Sequence, residues 1–295
     1  MSDLAKRVVV AIVAAPLALA AVLAGGAALA ALLAVASAVA AWEFYRIARA
    51  AGHTPLSDLG CAIAGLIPIA VHARYLERFD PRLSYFAVAL AIIMSVVLWT
   101  RGASPAAKGM SAMATTVFGA LYTGGLLSFA YAIRYHDYAV GGVDIGRFPV
   151  ASGAVLLGLP LLITWASDIG AFFVGRAVRG PKLMPSISPG KTRSGAVGGL
   201  LASVLVAWLY IQYLLVPIAQ LALETTGIII FGVLISVAAQ LGDLVESMLK
   251  REAGVKDSSN LLPGHGGLLD RLDSLFFVLP TAHLLLGWLL IPAPR

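Results

Sequence analysis

The chain carries nine stretches of mainly apolar residues, most of them 17 to 27 residues long. A helix needs about 20 such residues to cross the roughly 30 Å hydrocarbon core of a bilayer. The stretches lie at 8–24, 27–46, 57–73, 84–100, 110–133, 151–177, 195–216, 226–249 and 270–291. Since 8–46 is too long for one span, the break at Gly25-Gly26 favours a tight helical hairpin over one broken helix. The sequence therefore predicts an all-α, polytopic membrane protein with about nine transmembrane helices.

The charge content excludes the soluble alternatives. Only 12% of the residues are charged and 60% are apolar, whereas an average soluble domain is about 25% charged and 45–50% apolar. The 21 basic and 15 acidic side chains are too few to cover the surface of a soluble protein of 295 residues. The high apolar content also excludes a disordered chain. A fold held together by internal disulfides is excluded because Cys61 is the single cysteine of the sequence.

The distribution of Lys and Arg predicts the orientation. If the N-terminus is inside, 15 of the 21 basic residues fall on the inner side, as the positive-inside rule expects for a cytoplasmic N-terminus. This asymmetry accounts for the net charge of +6, so we expect no nucleic-acid partner. Lys6-Arg7 before an alanine-rich stretch could instead begin a signal peptide, but retaining the segment agrees better with the charge distribution.

An acidic residue within a predicted span is unusual, because a charge there costs about 2.5–3.5 kcal/mol on insertion scales. Asp168 is deep in the sixth stretch, and we interpret it as a functional residue. The alternative is a structural role, in which Asp168 only makes a hydrogen bond to a neighbouring helix. Glu43 is near the end of the second stretch, and we interpret it as an interfacial group beside Arg46.

The eighth stretch ends in a polar helical face. Asp243, Glu246, Ser247 and Lys250 fall at i, i+3, i+4 and i+7, which is one side of a helix. A Glu246–Lys250 ion pair at a helix end would explain two of the four. It leaves Asp243, the deepest carboxylate, unexplained.

The connections at 250–269 and 176–194 are rich in residues that suit phosphate. The first has a turn-forming proline and three glycines at 263–267 and leads to Asp270 and Asp273. The alternative role for these two acids is to cap the start of the ninth helix and complement its dipole. The second contains Gly190-Lys191-Thr192, which could hold phosphate oxygens before a helix or only orient the chain. We reject a P-loop because Pro185 replaces the required glycine and no β-strand is predicted before it.

Carboxylates suited to Mg²⁺, basic side chains and glycine turns together predict phosphoryl or nucleotidyl transfer at the inner face. We expect residues 1–134 to form about five lipid-facing helices. Residues 150–295 are expected to form the catalytic region, with cytoplasmic loops 176–194 and 250–269.

Two patterns in the C-terminal half are specific. The first is Ser247-x2-Lys250-Arg251-x4-Lys256-Asp257-x5-Pro263-Gly264-His265-Gly266-Gly267-x2-Asp270-Arg271-x-Asp273. The second is Trp165-x2-Asp168-x-Gly170-Ala171-x3-Gly175-Arg176, followed by Ser188-Pro189-x-Lys191-Thr192-x2-Gly195. Together they resemble the recurring regions of the phosphatidate cytidylyltransferases, also called CDP-diacylglycerol synthases. The chain departs from the commonest loop at Gly190, where lysine is usual, and at Ser194, where an acid or glutamine is usual.

The resemblance implies that CTP and phosphatidate react to give CDP-diacylglycerol and pyrophosphate. It also implies dependence on Mg²⁺, alone or with a second cation. It implies a homodimer among the membrane lipids, for which the helices of residues 1–134 would be the scaffold. The location it implies is the bacterial inner membrane, with the active site at the cytoplasmic face. Residue physics alone would not have identified cytidine or the lipid.

The predicted site follows from these patterns. The metal ligands are Asp243 and Asp270, with Asp257 and Asp273 as second choices, and the catalytic set adds Lys250 and Arg271. The predicted substrate-binding residues are Asp168, Ser188, Lys191, Thr192, Ser247, Arg251, Lys256, His265, Gly266 and Gly267.

Other classes of membrane protein are less consistent with the sequence. A lipid or ion transporter with a cytoplasm-facing acidic site should show paired broken helices in two halves, whereas here the polar residues crowd at one end. A CDP-alcohol phosphotransferase requires a DGxxAR-type motif, which the sequence lacks.

Overall fold

A computed structural model of the chain describes residues 3–78, 83–101, 108–139, 141–145, 148–262, 264 and 266–293. All nine apolar stretches contain helix. The helices are α1 (Asp3–Ala24), α2 (Gly26–Ala50), α3 (Ser57–Tyr75), α4 (Leu83–Arg101), α5 (Gly109–Ala120), α6 (Phe129–Arg134), α7 (Ser152–Val178), α8 (Arg193–Tyr210), α9 (Thr225–Glu252), α10 (Leu269–Leu272) and α11 (Leu275–Leu289). Short π-helical segments, Leu121–Gly125 and Ile211–Ala219, follow α5 and α8. The first two helices are separate, with Gly25 between them at a φ of +64°.

The protein is a multi-pass helical membrane protein. Six helical runs among the described residues are long and apolar enough to cross a bilayer, by length and composition. They are Gly26–Ala50, Gly109–Arg134, Ser152–Val178, Arg193–Ala219, Thr225–Glu252 and Leu269–Leu289. The count of nine spans and the cytoplasmic N-terminus stay predictions.

The chain forms two compact units. The first comprises Met1–Leu17, Gly26–Ser128 and Leu249–Arg271, and the second comprises Ala18–Gly25, Phe129–Met248 and Leu272–Arg295. The functional division predicted between residues 134 and 150 stays a prediction.

In the first unit, α2 packs against α3 and α5 around a buried tyrosine. Tyr45 is fully buried and donates its hydroxyl to the Thr116 carbonyl at 2.7 Å. A Cβ placed on Gly60 or Gly119 would overlap the Tyr45 ring. Small residues at these two positions therefore let the helices close around the ring.

In the second unit, α7 and α8 approach closely. A Cβ on Gly170 would lie 2.8 Å from the Gly198 carbonyl oxygen, so glycine is needed on this face of α7. Close backbone approach at small residues is a common way for helices to associate in membranes. Ser167 of α7 adds a buried hydrogen bond to Ser236 of α9, with 2.7 Å between the two Oγ atoms.

A β-hairpin precedes α8, so the prediction that no strand lies there is wrong. Strands β3 (Lys182–Met184) and β4 (Ser188–Thr192) pair antiparallel, because this short connection can satisfy its backbone groups by pairing with itself. The Oγ1 atom of Thr192 accepts the Gly195 amide at 3.1 Å and caps α8. Pro185 still excludes a P-loop. Two further strand pairs are β1 (Gly142–Ile145) with β2 (Phe148–Ala151) and β5 (Leu221–Ala222) with β6 (Ile291–Pro292).

Candidate active site

The second unit contains a cleft of about 890 Å³. Its walls come from the C-terminal half of α7, the β3–β4 hairpin, the start of α8 and α9. Four predicted site residues line it together: Asp168, Lys191, Thr192 and Asp243. The fold thus brings the 176–194 connection to the acidic residues of two apolar helices.

An ion pair joins the hairpin to α9 in this cleft. The Lys191 Nζ atom lies 2.7 Å from Asp243 Oδ2, and the two side chains are 26% and 34% exposed. Ser247 donates to Asp243 Oδ1 at 3.2 Å. The carboxylate is therefore both oriented and accessible from the cleft.

Asp168 adds a second carboxylate to the cleft. The negative charges of Asp243 and Asp273 repel the Asp168 carboxylate, and the Lys191 ammonium attracts it. The Asp168 and Asp243 carboxylates supply oxygen donors of the kind that a hard divalent cation prefers. The hydrogen bond between α7 and α9 is made by the neighbouring Ser167, so it does not require Asp168.

The carboxylates do not form a complete metal cage. Within the described ranges, no three His, Cys, Asp or Glu side chains are placed to hold one ion. Magnesium is usually bound by one or two carboxylates, with water and substrate phosphates supplying the other ligands. Two carboxylates in the cleft are compatible with that kind of site.

Sequence reasoning missed three basic residues of the cleft. Arg176, Arg179 and Lys182 line the same cavity as Asp168 and Asp243, yet the sequence analysis gave none of them a binding role, although Arg176 belongs to one of the two patterns. Their spacing of three residues across the end of α7 was the available signal. The cleft therefore carries more positive charge than the prediction assumed.

In the first unit, Asp270 organises the 250–269 connection. Its Oδ1 atom lies 2.7 Å from Lys250 Nζ, and the two side chains are 7% and 12% exposed, respectively. Its Oδ2 atom accepts the Ser258 amide at 3.0 Å, the Ser258 hydroxyl at 2.9 Å and the Gly267 amide at 2.8 Å. The carboxylate thus ties both ends of the connection to the last turn of α9.

Glu43 holds the other side of this connection, and its interpretation as an interfacial group beside Arg46 is wrong. It is fully buried. Its Oε2 atom accepts the Leu269 amide at 2.6 Å and lies 3.1 Å from the Ser258 hydroxyl, whose one proton is shared with Asp270 Oδ2. Its Oε1 atom accepts the Leu268 amide at 3.1 Å and the Ser259 hydroxyl.

Glu43 is buried because backbone amides of the connection need a hydrogen-bond acceptor there. The bent connection turns its amides inward, and a buried carboxylate can accept several of them at once. Arg46 instead lies over the Trp42 ring, 4.9 Å from its centroid. The cost of placing a glutamate within an apolar helix was the signal in the sequence.

The remaining predicted residues are placed as follows. Ser188 pairs with Met184 in the hairpin, Arg251 donates to the Val255 carbonyl at 3.2 Å, and Lys256 is exposed. Arg271 is exposed on α10, and Asp273 Oδ1 accepts the Ser274 amide at 2.6 Å. Predicted residue His265 lies outside the described residues.

The two predicted glycines let the backbone approach carboxylates closely. Gly266 has a φ of +80°, and a Cβ there would lie 2.8 Å from Asp270 Oδ2. A Cβ on Gly267 would overlap Ser258 Oγ and lie 2.5 Å from Glu43 Oε1. Contact of these glycine amides with a nucleotide stays a prediction.

We expect Gly267→Ala to destabilise the protein by about 1–3 kcal/mol, because the added methyl group overpacks this buried contact. Thermal unfolding of the purified protein in detergent measures the effect. Gly287→Ala is the matched control, since a Cβ there meets no atom within 4 Å. Equal unfolding temperatures for the two variants would contradict the close packing at Gly267.

Comparison with known proteins identifies similar sequences. The Cytidylyltransferase family matches residues 5–289. A phosphatidate cytidylyltransferase of Synechocystis sp. is 32% identical over 256 residues, which cover 82% of this chain and 82% of that protein.

Two other bacterial relatives match more closely over a shorter segment. Phosphatidate cytidylyltransferases of Haemophilus influenzae and Bacillus subtilis are 47% and 44% identical over 128 and 126 residues. Each alignment covers 43% of this chain, and they cover 44% and 45% of the two relatives. The chain thus spans less than half the length of these two proteins.

Proposed function

Because the chain belongs to the Cytidylyltransferase family, we propose that it transfers the cytidylyl group of CTP to phosphatidate. The products are CDP-diacylglycerol and pyrophosphate. The observation that carries this proposal is the meeting of Lys191, Asp168 and Asp243 with three further cations in one cleft. Such a cleft suits two phosphate-bearing substrates that must be brought together.

The cellular setting is part of the proposal. The active site faces the cytoplasm from a bacterial inner membrane, and the protein has nine spans and acts as a homodimer. The bias of 15 basic residues to 6 supports the orientation. The bacterial relatives support the location, and the resemblance supports the homodimer.

The chemistry is a displacement at the α-phosphorus of CTP. A phosphate oxygen of the lipid forms the new P–O bond, the bond to the β-phosphate breaks, and pyrophosphate leaves with the electron pair. The lipid phosphate is already anionic at neutral pH, so no strong general base is needed. Because both reactants are anions, the protein's main task is to neutralise charge and align the reacting groups.

Basic side chains perform that task. In the second unit, the Lys191 ammonium and the Thr192 hydroxyl bind phosphate oxygens in the cleft. In the first unit, Lys250 and Arg271 contact phosphate, with Arg251 and Lys256 as further contacts. Asp168 orients the pocket from α7.

We propose Mg²⁺ as the cofactor, with Asp243 as a ligand in the cleft; ligation by Asp270, and by Asp257 and Asp273 as second choices, stays a prediction. The Asp243 carboxylate offers hard oxygen donors and now partners the Lys191 ammonium at 2.7 Å. A divalent cation suits the same anionic oxygens, so the residues fit the ion. When bound, the metal withdraws negative charge from the phosphate oxygens.

The experiment uses purified protein in detergent–phosphatidate micelles with CTP and Mg²⁺. We expect CDP-diacylglycerol, identified by mass spectrometry, with one pyrophosphate released per lipid product. Product formation should cease without phosphatidate, cease with a chelator, and return when Mg²⁺ is restored. Absence of a CDP-lipid from the complete mixture would overturn the proposed function.

A further inference from the structure

The cations at the end of α7 are distinct from the Lys191–Asp243 pair. Arg176, Arg179 and Lys182 all line the cleft. Basic residues that only orient a membrane protein have no need to share one cavity. Their convergence indicates a ligand with several negative charges.

The backbone of Arg179 is held in a conformation that favours glycine. Its φ is +60° and its ψ is −144°, a region that non-glycine residues adopt only when the surrounding structure imposes it. Gly180 follows directly, so a glycine is available next to the strained position. The chain nevertheless carries an arginine there.

Contacts on both sides of Arg179 impose this conformation. Its amide donates to the Gly175 carbonyl at 3.1 Å, and its carbonyl accepts the Ser194 hydroxyl. Ser194 also lies 3.1 Å from the Thr192 hydroxyl that caps α8. An acid at position 194 could not donate to this carbonyl when ionised, so Ser194 has a physical role here. Strain fixed in this way is typical of residues that bind ligands.

Position along α7 indicates which anion the cations bind. Arg176 and Arg179 lie about 12 and 16 Å beyond Asp168 along the helix axis. Long helical side chains lean toward the N-terminus, so the Arg176 guanidinium leans back toward the acidic part of the cleft. The lipid phosphate and the α-phosphate must meet at the reaction centre. The anionic group left to occupy a neighbouring position is the β,γ-pyrophosphate of CTP.

We propose that Arg176, Arg179 and Lys182 bind the β- and γ-phosphates of CTP and then the departing pyrophosphate. This inference rests on the proposed function. When the bond between the α- and β-phosphates breaks, its electron pair stays on the pyrophosphate oxygen. The guanidinium groups neutralise that added charge, and their planar donor pairs match phosphate geometry.

The test is Arg179→Gly in the full-length protein. Glycine adopts the observed φ without strain, so the unfolding temperature should not fall although the charged side chain is gone. Isothermal titration with inorganic pyrophosphate and Mg²⁺ should show an affinity about 10-fold lower or weaker still, the scale of a charged hydrogen bond. The KM for CTP should rise similarly, with an unchanged KM for phosphatidate.

Two further variants distinguish the loss of the Arg179 side chain from a change in backbone strain and from the loss of a positive charge elsewhere. Arg179→Ala should lose pyrophosphate affinity equally but unfold at a lower temperature than Arg179→Gly, because it keeps the backbone strain. Arg193→Ala removes the same charge from an exposed residue outside the cleft lining and should bind pyrophosphate like the wild type.

The outcomes distinguish the two proposals. If the wild type forms CDP-diacylglycerol but Arg179→Gly binds pyrophosphate within twofold of the wild type, the inference is overturned and the proposed function stands. If pyrophosphate binding depends on Arg179 but the wild type forms no CDP-diacylglycerol, the proposed function is overturned. The assignment to CTP phosphates is then overturned with it.

Discussion

Asp243→Asn is expected to lower the kcat of CDP-diacylglycerol formation by about 10²- to 10³-fold, the scale of losing one preorganised electrostatic group. Asparagine has nearly the same shape and can still accept from Ser247. It cannot supply the negative charge that now pairs with Lys191 at 2.7 Å. The proposed cation would lose a ligand for the same reason. Initial rates at saturating CTP and phosphatidate measure the effect.

The fold of Asp243→Asn should remain intact, because the side chain is 34% exposed in the cleft. Circular dichroism and thermal unfolding check this. Glu224→Gln removes one negative charge from an exposed residue just before α9 and should leave kcat unchanged. A turnover of Asp243→Asn near that of this control would remove Asp243 from the mechanism.

Glu43→Ala is expected to destabilise the protein by about 3–5 kcal/mol. The Leu268 and Leu269 amides and the Ser259 hydroxyl would lose a buried acceptor, at about 1–3 kcal/mol for each donor left unsatisfied. Water entering the space would offset part of that cost. Because the same connection carries Ser258 and Gly267 to Asp270, activity should fall with stability. Denaturant or thermal unfolding in detergent measures the first effect.

Glu43→Gln should be intermediate, since the amide keeps one acceptor oxygen but turns an NH₂ group toward existing donors. Glu77→Ala is the matched control, because Glu77 is an exposed acid of the same unit. If Glu43→Ala unfolded at the same temperature as Glu77→Ala, Glu43 would not be the anchor of the connection.

The sequence was sufficient to locate the helices. The length of an apolar stretch can be read from the local sequence, and each predicted stretch contains a helix. The predicted break between the first two helices is also present, at Gly25. The sequence also singled out Asp243, because a charge within an apolar helix is costly, and Lys191, because its connection suits phosphate; their roles stay predictions. The structure adds that these two side chains lie in contact.

Features that depend on distant contacts or on backbone geometry were not predictable. Glu43 and Ser258 are 215 positions apart in the sequence, so the residues around Glu43 do not indicate its hydrogen-bond partner. The conformation of Arg179 depends on Ser194, 15 residues later. A positive φ at an arginine cannot be predicted from the residue type. The β3–β4 hairpin was missed because its few residues carry no alternating apolar pattern.

The position of a radioactive label in CTP tests the central claim most directly. Purified protein is given phosphatidate, Mg²⁺ and CTP labelled at either the α- or the γ-phosphate. We predict that the α-label enters the organic-phase lipid and that the γ-label is released in pyrophosphate in equal amount. Transfer of the γ-label to lipid, or no α-label in the lipid phase, would contradict the account.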